Sequence, residues 1–255
     1  MRKILIALGI IAVAAVIGVT VVEMRPSTKA TSPDAPKSFA DAPVLPFTVF
    51  PEDRVLGDAN APVTIIEYAS MTCPHCAHFA TEVLPAVKPV LIDSGKVRLV
   101  FRDYPLDALA LRGAMLVRCA GNERAFGMIE LLFSRQMVWA TAQDPKAALL
   151  TIANQAGMNA AQFDACMDDK AVQDAVTQSR VTAEQAYKIN STPSFLVNGR
   201  LIVGAPMPEE LVALVNTLLP ASDAASMPAA SGSSMSPTPS SSSPSPSSPS
   251  SSPER

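Results

Sequence analysis

Two cysteines separated by two residues are the first candidates for chemistry, because thiols at this spacing can form and exchange a disulfide. The tetrapeptide is Cys73-Pro74-His75-Cys76, and it follows an apolar, β-branched run, Val63–Tyr68, that predicts a buried strand. Pro74 is typical of the first turn of a helix, where its missing N–H has no partner to lose. We therefore expect Cys73 at a helix N-terminus, where free backbone N–H groups and the helix dipole favour a thiolate. His75 adds a donor or a positive charge within the same turn.

Cys76 lies one turn into the same helix, so we expect it to be more buried than Cys73 and to have a higher pKa. A low pKa on Cys73 stabilises the reduced protein and makes the oxidised pair a ready donor of its disulfide. The sequence thus predicts Cys73 as the nucleophile and Cys76 as the resolving thiol.

A metal or haem site at this motif is disfavoured. The chain contains only two histidines, His75 and His78, so zinc bound at Cys73 and Cys76 would need a second ligand pair from elsewhere, and no other His exists. Covalent haem attachment needs a histidine directly after the second cysteine, and Ala77 stands there. We predict neither a metal nor a cofactor, and two ordinary structural cysteines are the weaker alternative.

Three further residue positions are candidates for the same site. Glu67 is a carboxylate inside the buried run, so it is either a proton acceptor for Cys76, a paired structural residue or a residue at a solvated strand end. Thr192-Pro193 precedes a second β-rich run, and X–Pro bonds are the common source of cis peptides. A cis Pro193 would bring the backbone of Thr192 beside the cysteines to bind an extended substrate, whereas a trans proline would begin an edge strand. Met71 is a candidate apolar contact for that substrate.

The surrounding pattern predicts an α/β fold. A helix kinked near its prolines should follow Cys73, and Lys96–Arg102 alternates as a second strand. Residues 106–187 are helical in pattern, Asn198-Gly199 marks a hairpin, and a last amphipathic helix follows. This order indicates a small mixed sheet whose two halves are separated by an inserted helical subdomain.

The two ends of the chain differ from this folded middle. Residues 1–22 place two basic residues before a run of 19 uncharged, mostly apolar residues, 4–22. This predicts an uncleaved anchor in the inner membrane, with a cleaved signal peptide or a buried helix as alternatives. Residues 23–57 are rich in Pro, Ser and Thr and predict a linker, in which Phe47–Phe50 could add an edge strand. Residues 221–255 are dominated by Ser and Pro and predict a disordered tail.

Charge and the N-terminal run restrict the function classes. Charged residues make up 17% of the chain and the formal net charge is −3, which argues against nucleic acid as the main partner, because phosphate binding needs clustered Lys and Arg. Both the anchor and the signal interpretation keep the charged N-terminus inside and export the rest to the cell envelope or periplasm. Export makes stable disulfides permissible.

These motifs, in this order, resemble the DsbA family of thiol:disulfide oxidoreductases, which are thioredoxin-fold proteins of the bacterial cell envelope. The resemblance covers about residues 56–220 and rests on Val-Thr-Ile-Ile-Glu-Tyr, Cys-Pro-His-Cys, a helical insertion and Thr-Pro-Ser-Phe-Leu-Val-Asn-Gly. It implies a thioredoxin-like domain formed by 58–105 and 188–220, with the inserted helical subdomain, 106–187, between them.

The resemblance also implies the roles of individual residues. Cys73 corresponds to the attacking nucleophile, Cys76 to its partner, and the Cys-Pro-His-Cys sequence resembles the strongly oxidising members. Glu67 corresponds to the buried acid and Pro193 to the cis proline. Thr192 departs from the best-known enteric members, which carry Val before the proline, and this residue faces the substrate in the family.

The remaining two cysteines, Cys119 and Cys166, can pair in an exported protein, with two free buried thiols or a redox-active regulatory pair as alternatives. Their flanking segments resemble the four-cysteine branch of the family, whose second disulfide lies in the helical subdomain. Closing this loop of about 48 residues would stabilise the fold by roughly 4 kcal/mol in the chain-entropy model.

The predicted function is therefore exchange of the Cys73–Cys76 disulfide with exported, unfolded polypeptides that carry free thiols. We expect a monomer that a membrane redox partner returns to the oxidised state. One alternative is a disulfide isomerase or reductase in the same compartment. Another is a non-redox binding module or holdase tethered on the same scaffold. A small-molecule conjugating enzyme on this scaffold normally has Ser in place of Cys73.

Overall fold

The computed structural model describes Phe39 and residues 42–220. The predicted membrane segment 1–22, the predicted tail 221–255 and most of the predicted linker lie outside the described residues. Among the described residues, no helix is both long and apolar enough to cross a membrane.

The centre of the fold is a mixed sheet of five strands in the order β1-β3-β2-β4-β5. Its strands are β1 (Arg54–Leu56), β2 (Val63–Ala69), β3 (Val97–Asp103), β4 (Ser194–Val197) and β5 (Arg200–Val203). β2 and β3 are parallel, and the other neighbouring pairs are antiparallel. Every residue of β2 is buried, as its nearly continuous apolar run predicts.

Nine α-helices surround this sheet in the part of the chain that the structure describes. They are α1 (Pro74–His78), α2 (Leu84–Leu91), α3 (Ala108–Cys119), α4 (Asn122–Ser134), α5 (Gln136–Ala140), α6 (Pro145–Gln155), α7 (Ala160–Asp168), α8 (Lys170–Tyr187) and α9 (Pro208–Leu218). The kink predicted near the prolines takes the form of a π-helical segment, Phe79–Val83, between α1 and α2. It lies just before Pro85, which has no N–H to donate to the preceding turn.

The helices α3–α8 lie between β3 and β4 in the chain and are called the inserted subdomain below. Aspartates cap three of them, because the side chains of Asp107, Asp144 and Asp169 accept hydrogen bonds from N–H groups at the starts of α3, α6 and α8. The insertion and the thioredoxin-like part belong to one compact unit.

The C-terminal part of the predicted linker, 23–57, belongs to the folded unit instead. Leu45, Phe47 and Val49 pack against the cluster of buried residues that includes Ile66 of β2. Their alternating apolar side chains cover one face of the sheet, and burial of that area offsets the entropy of ordering the segment.

The prediction of an edge strand at Phe47–Phe50 is wrong. This segment has no regular secondary structure, and the edge strand is β1, which pairs with β3 through Arg54 opposite Phe101. Pro46 and Pro51 bracket the segment, and neither has an N–H to donate to a ladder of strand hydrogen bonds.

The predicted hairpin between β4 and β5 is confirmed. Asn198 and Gly199 have φ values of 45° and 84°, the positive range that a two-residue hairpin turn of this type needs at both positions. The N–H of Leu45 donates to the Gly199 carbonyl at 2.8 Å, and a Cβ on Gly199 would lie 2.3 Å from the Leu45 carbonyl oxygen. Glycine is therefore required for both the turn and this close approach.

Candidate active site

The turn between β2 and α1 carries the two cysteines of the predicted redox pair. Cys73 is the N-cap of α1 in an extended conformation, with φ −81° and ψ 119°, and Pro74 occupies the first turn of the helix. Cys73 has 5% of its surface exposed to solvent, and Cys76 has 0%. Both cysteines are free thiols. Cys73 is therefore the member of the pair that a second molecule can reach first.

Polar groups around Cys73 favour its thiolate. A hydrogen bond with the Cys76 side chain is the largest cause that lowers the pKa of Cys73 to about 5, and burial opposes it. Thr192 and the backbone N–H groups of Cys76 and His75 lower the pKa further. At neutral pH the reduced protein thus holds Cys73 as a thiolate.

Cys76 has the opposite electrostatic environment. Burial is the largest cause that raises the pKa of its thiol, and the hydrogen bond with Cys73 and the charge of Glu67 raise it further. Cys76 therefore stays protonated and donates to the Cys73 thiolate. One sulfur of the pair carries the charge and the other carries the proton.

Glu67 is buried in the central strand, with 2% of its surface exposed. Burial raises the pKa of this carboxyl to about 8, and the charge on Cys73 adds to the shift. Its Oε1 has no hydrogen-bond partner among the described residues. Glu67 is thus largely protonated at neutral pH, and its electrostatic coupling to both sulfurs suits it to exchange a proton at this site.

The Thr192–Pro193 peptide bond is cis, and it lies beside the nucleophile. The Cys73 thiol donates to the Thr192 carbonyl oxygen at an Sγ–O distance of 3.4 Å. The Thr192 hydroxyl is buried and has no hydrogen-bond partner among the described residues. The Thr192 side chain lowers the pKa of Cys73 and so favours its thiolate.

His75 is exposed on the surface of α1, and the contribution to Cys73 that the structure identifies comes from its backbone N–H. His78 is also exposed, and its Nδ1 lies 3.2 Å from a carboxylate oxygen of Glu82. Within the described residues, no three His, Cys, Asp or Glu side chains are grouped so that they could hold a metal ion.

The inserted subdomain makes contacts with the active-site turn that the sequence did not indicate. Gln136, the first residue of α5, donates from Nε2 to the carbonyl oxygens of Met71 at 2.8 Å and Cys73 at 3.0 Å. The Thr72 hydroxyl donates to Asp107 at 2.6 Å. These partners are 35 to 65 positions apart in the chain, so no local pattern reveals them.

The hypothesis that Met71 contacts substrate is wrong, because only 1% of its surface is exposed. Its side chain packs into the insertion, where a Cβ on Gly113 would lie 2.9 Å from the Met71 Cβ and 3.4 Å from Trp139. The apolar thioether is thus a core residue that holds the turn against α3.

Cys119 and Cys166 form a disulfide in the structure and join the end of α3 to α7 across 47 positions of sequence. Cys166 is buried, and both residues belong to the core of the inserted subdomain. The same apolar cluster reaches Cys73 and Cys76, but the second pair is joined as a crosslink between two helices, whereas Cys73 and Cys76 are free thiols.

Comparison with known proteins places the chain in a family. The family model described as thioredoxin matches residues 50–217, more than half of the chain. The crystal structure of alpha-DsbA1 from Wolbachia pipientis is 30% identical, has a TM-score of 0.62, and is matched over 68% of this chain and 92% of its own. The chain belongs to the DsbA-like proteins of the thioredoxin family.

Further relatives of this DsbA-like protein agree with the assignment. A Rickettsia prowazekii protein that carries the name protein-disulfide oxidoreductase is 31% identical over 155 residues, which are 60% of this chain and 57% of the relative. The chain spans about 60% of the length of the curated relatives that it matches. BdbD from Bacillus subtilis, at 18% identity and a TM-score of 0.60 over 69% of this chain and 97% of its own, shares the fold.

Proposed function

We propose that this DsbA-like protein is a thiol:disulfide oxidoreductase that passes the Cys73–Cys76 disulfide to exported, unfolded polypeptides with free thiols. The observation that carries the proposal is that the two sulfurs have different burial and different electrostatic surroundings. Cys73 is the less buried sulfur and has the groups that stabilise an anion, whereas Cys76 is fully buried and keeps its proton. A dithiol arranged in this way favours its reduced form, so its disulfide is a strong acceptor of electrons.

The proposed reaction has two exchange steps. A client thiolate attacks Cys73 Sγ, the Cys73–Cys76 bond breaks, and its electron pair goes to Cys76 Sγ, which takes up a proton. A second client thiol then loses its proton and attacks the client sulfur of the mixed disulfide, and Cys73 leaves as a thiolate. The client gains one disulfide, and the protein gains two electrons and retains one proton on Cys76.

Glu67 is the proposed proton donor and acceptor for Cys76. Its pKa of about 8 leaves it protonated at neutral pH, when the departing Cys76 sulfur needs a proton. In the reverse direction, when the pair is reoxidised, the ionised fraction of the same carboxyl group accepts the proton that Cys76 must lose. The buried and unpaired Oε1 supports this role over that of a structural ion pair.

The surface around Cys73 supports a polypeptide as the client. Met137 and Val138 are 66% and 70% exposed and line a cavity of about 320 Å³ together with Pro74. Val203, on β5, is 61% exposed. Exposed apolar side chains of this size suit unfolded chains, which present apolar residues that folded proteins bury. The Thr192 backbone beside Cys73 would bind the extended client.

The proposed compartment is the cell envelope or periplasm. The run at 4–22 would anchor the protein in the inner membrane or direct its secretion. A membrane redox partner would accept the two electrons and restore the Cys73–Cys76 disulfide. We also propose that the protein acts as a monomer.

Trapping of mixed disulfides tests the function. In Cys76→Ala the resolving thiol is absent, so Cys73 should remain linked to exported clients in complexes that reducing agent dissolves on gels of membrane extracts. In Cys73→Ala few complexes should form, because Cys76 is buried. The reverse result would make Cys76 the nucleophile and Cys73 the resolving thiol. If neither variant traps clients, the protein is a non-redox binding module or holdase.

The redox state of the pair in intact cells separates the two enzymatic alternatives. A disulfide donor should be found mostly oxidised, since it receives oxidising equivalents from its partner. A mostly reduced pair would instead support an isomerase or reductase. Alkylation of free thiols at the moment of lysis, followed by a mobility-shift gel, measures this ratio.

A further inference from the structure

The turn that carries Cys73 is contacted by a buried amide of the inserted subdomain, the side chain of Gln136. Gln136 is 5% exposed, and its Nε2 uses both hydrogens on the turn, one for the Met71 carbonyl and one for the Cys73 carbonyl. Because both partners are acceptors, only the NH₂ group of the side chain fits this position. A hydrogen bond in such a buried setting is stronger than one in water.

These two carbonyl groups belong to the Met71–Thr72 and Cys73–Pro74 peptides, so the amide holds the peptide plane before Thr72 and the one after Cys73. The Cys73 carbonyl also accepts the N–H of Ala77, which ties the same plane to the first turn of α1. The direction of the Cys73 side chain follows from these planes. It brings Sγ to 3.4 Å from the Thr192 carbonyl and within reach of the N–H groups at the helix start.

A second contact joins the same turn to the insertion. The Thr72 hydroxyl donates to Asp107, whose other carboxylate oxygen accepts the N–H of Ala110 and caps α3. Thr72 is only partly buried, so solvent competes for this bond, whereas the Gln136 bonds are shielded. The Gln136 side chain is therefore the stronger link between the two parts of the protein.

We propose that Gln136 is a positioning residue for disulfide exchange, through which the inserted helical subdomain sets the orientation and the oxidising strength of Cys73. This inference rests on the proposed function and adds a residue to it. Gln136 does not touch the reacting sulfur, since its bonds go to main-chain carbonyls. It acts by keeping Cys73 Sγ aligned with the groups that stabilise its thiolate.

The test replaces Gln136 by Met in the full chain, which keeps the length of the side chain and removes both donors. We expect the pKa of Cys73 to rise by about one half to one unit, as expected for partial loss of hydrogen bonds to an anion. The equilibrium constant for oxidation of glutathione by the protein should fall three- to tenfold, which corresponds to about 15–30 mV. Thiolate absorbance against pH and equilibration in glutathione buffers give the two values.

Two control variants separate positioning from stability. Gln178→Met makes the same substitution at an exposed glutamine of the insertion and should change neither value. Asn159→Ala removes the capping box of α7 and should lower the melting temperature without changing the Cys73 pKa. Gln136→Asn keeps the NH₂ group on a shorter side chain, and it should shift both values in the same direction if Gln136→Met fails to fold.

The proposal is overturned if Gln136→Met and Gln136→Asn lower the melting temperature as Asn159→Ala does and leave the Cys73 pKa and the glutathione equilibrium at their original values. Gln136 would then be a structural residue only. The thiolate titration does not need a client protein. If the unchanged protein failed to oxidise any client, the proposed function would fall while the titration still decided the role of Gln136.

Discussion

The two cysteine pairs of this protein lie in one chain and in contrasting chemical environments. Cys73 and Cys76 are three positions apart at the start of a helix, next to backbone N–H groups, a threonine hydroxyl and a buried acid. Cys119 and Cys166 are 47 positions apart and join two helices inside the inserted subdomain. The first pair has groups that stabilise a thiolate, whereas the second has the long loop that makes a crosslink stabilising.

The contrast shows that reactivity follows from where a negative charge can be placed. A disulfide is reduced easily when one leaving sulfur is stable as an anion, and Cys73 has that stability. A disulfide between helices contributes to folding because it restricts the unfolded chain. A disulfide thus takes part in exchange in one region and stabilises the fold as a crosslink in the other.

Selective reduction should show the largest difference between the pairs. At pH 7, lowering the Cys73 pKa from its usual value of about 8.5 to about 5 stabilises the reduced pair by about 60 mV, which is about a hundredfold in the equilibrium with a thiol buffer. We expect Cys73–Cys76 to be reduced in mild dithiothreitol while Cys119–Cys166 stays intact, as mass spectrometry after alkylation would show. Reduction of both pairs at the same potential would contradict the predicted difference between the exchanging pair and the crosslink.

Removal of each pair should have opposite effects on stability and activity. Replacing both Cys119 and Cys166 by Ala should lower the free energy of unfolding by roughly 4 kcal/mol, less any strain, and largely preserve disulfide transfer. Replacing both Cys73 and Cys76 by Ala should abolish transfer and retain the fold. Calorimetry and a peptide-oxidation assay measure the two properties. Loss of activity without loss of stability in the first variant would indicate a redox role for the second pair.

The pH dependence of the reduction potential should report the number of protons taken up by Cys73 and Cys76. Above pH 5 the Cys73 thiolate carries no proton, so reduction adds one proton, to Cys76, and the potential falls by about 30 mV for each pH unit. Below pH 5 both sulfurs are protonated on reduction, and the slope doubles to about 60 mV. The Glu67→Gln variant removes the titration of the buried carboxyl group. Its reduction potential should still change slope near pH 5. A slope of about 60 mV up to pH 8 would contradict a low Cys73 pKa.

A smaller effect should come from the hydroxyl of Thr192. Thr192→Val keeps the shape of the side chain and removes the donor, so the pKa of Cys73 should rise by about half a unit to one unit. Thr217→Val is a matched substitution on α9, where the hydroxyl bonds to a carbonyl of its own helix. The control should leave the Cys73 titration unchanged, and an equal shift in both variants would exclude a direct role for Thr192.

The sequence predicted the elements and the reactive pair because these depend on local patterns. The β-branched run, the proline after Cys73 and the Asn198-Gly199 turn each determine backbone geometry within a few residues. The helical insertion followed from its periodicity. Glu67 was found because a charge inside a buried strand is costly.

Other features depend on contacts between distant residues. Gln136 reaches Cys73 across 63 positions, and Met71 is buried because it meets Gly113 and Trp139 of the insertion. The segment from Leu45 to Val49 has the composition of a linker, yet it covers the sheet. Its place depends on an apolar surface that only the folded sheet provides.

The titration of Cys73 tests the central claim most directly. The ultraviolet absorbance of the thiolate, followed against pH in the reduced protein with Cys119–Cys166 intact, gives the pKa of the nucleophile. We predict a midpoint near 5, since the Cys76 thiol, Thr192 and the N–H groups at the helix start all stabilise the anion. A midpoint above 8, in the range of an ordinary thiol, would contradict the proposed mechanism.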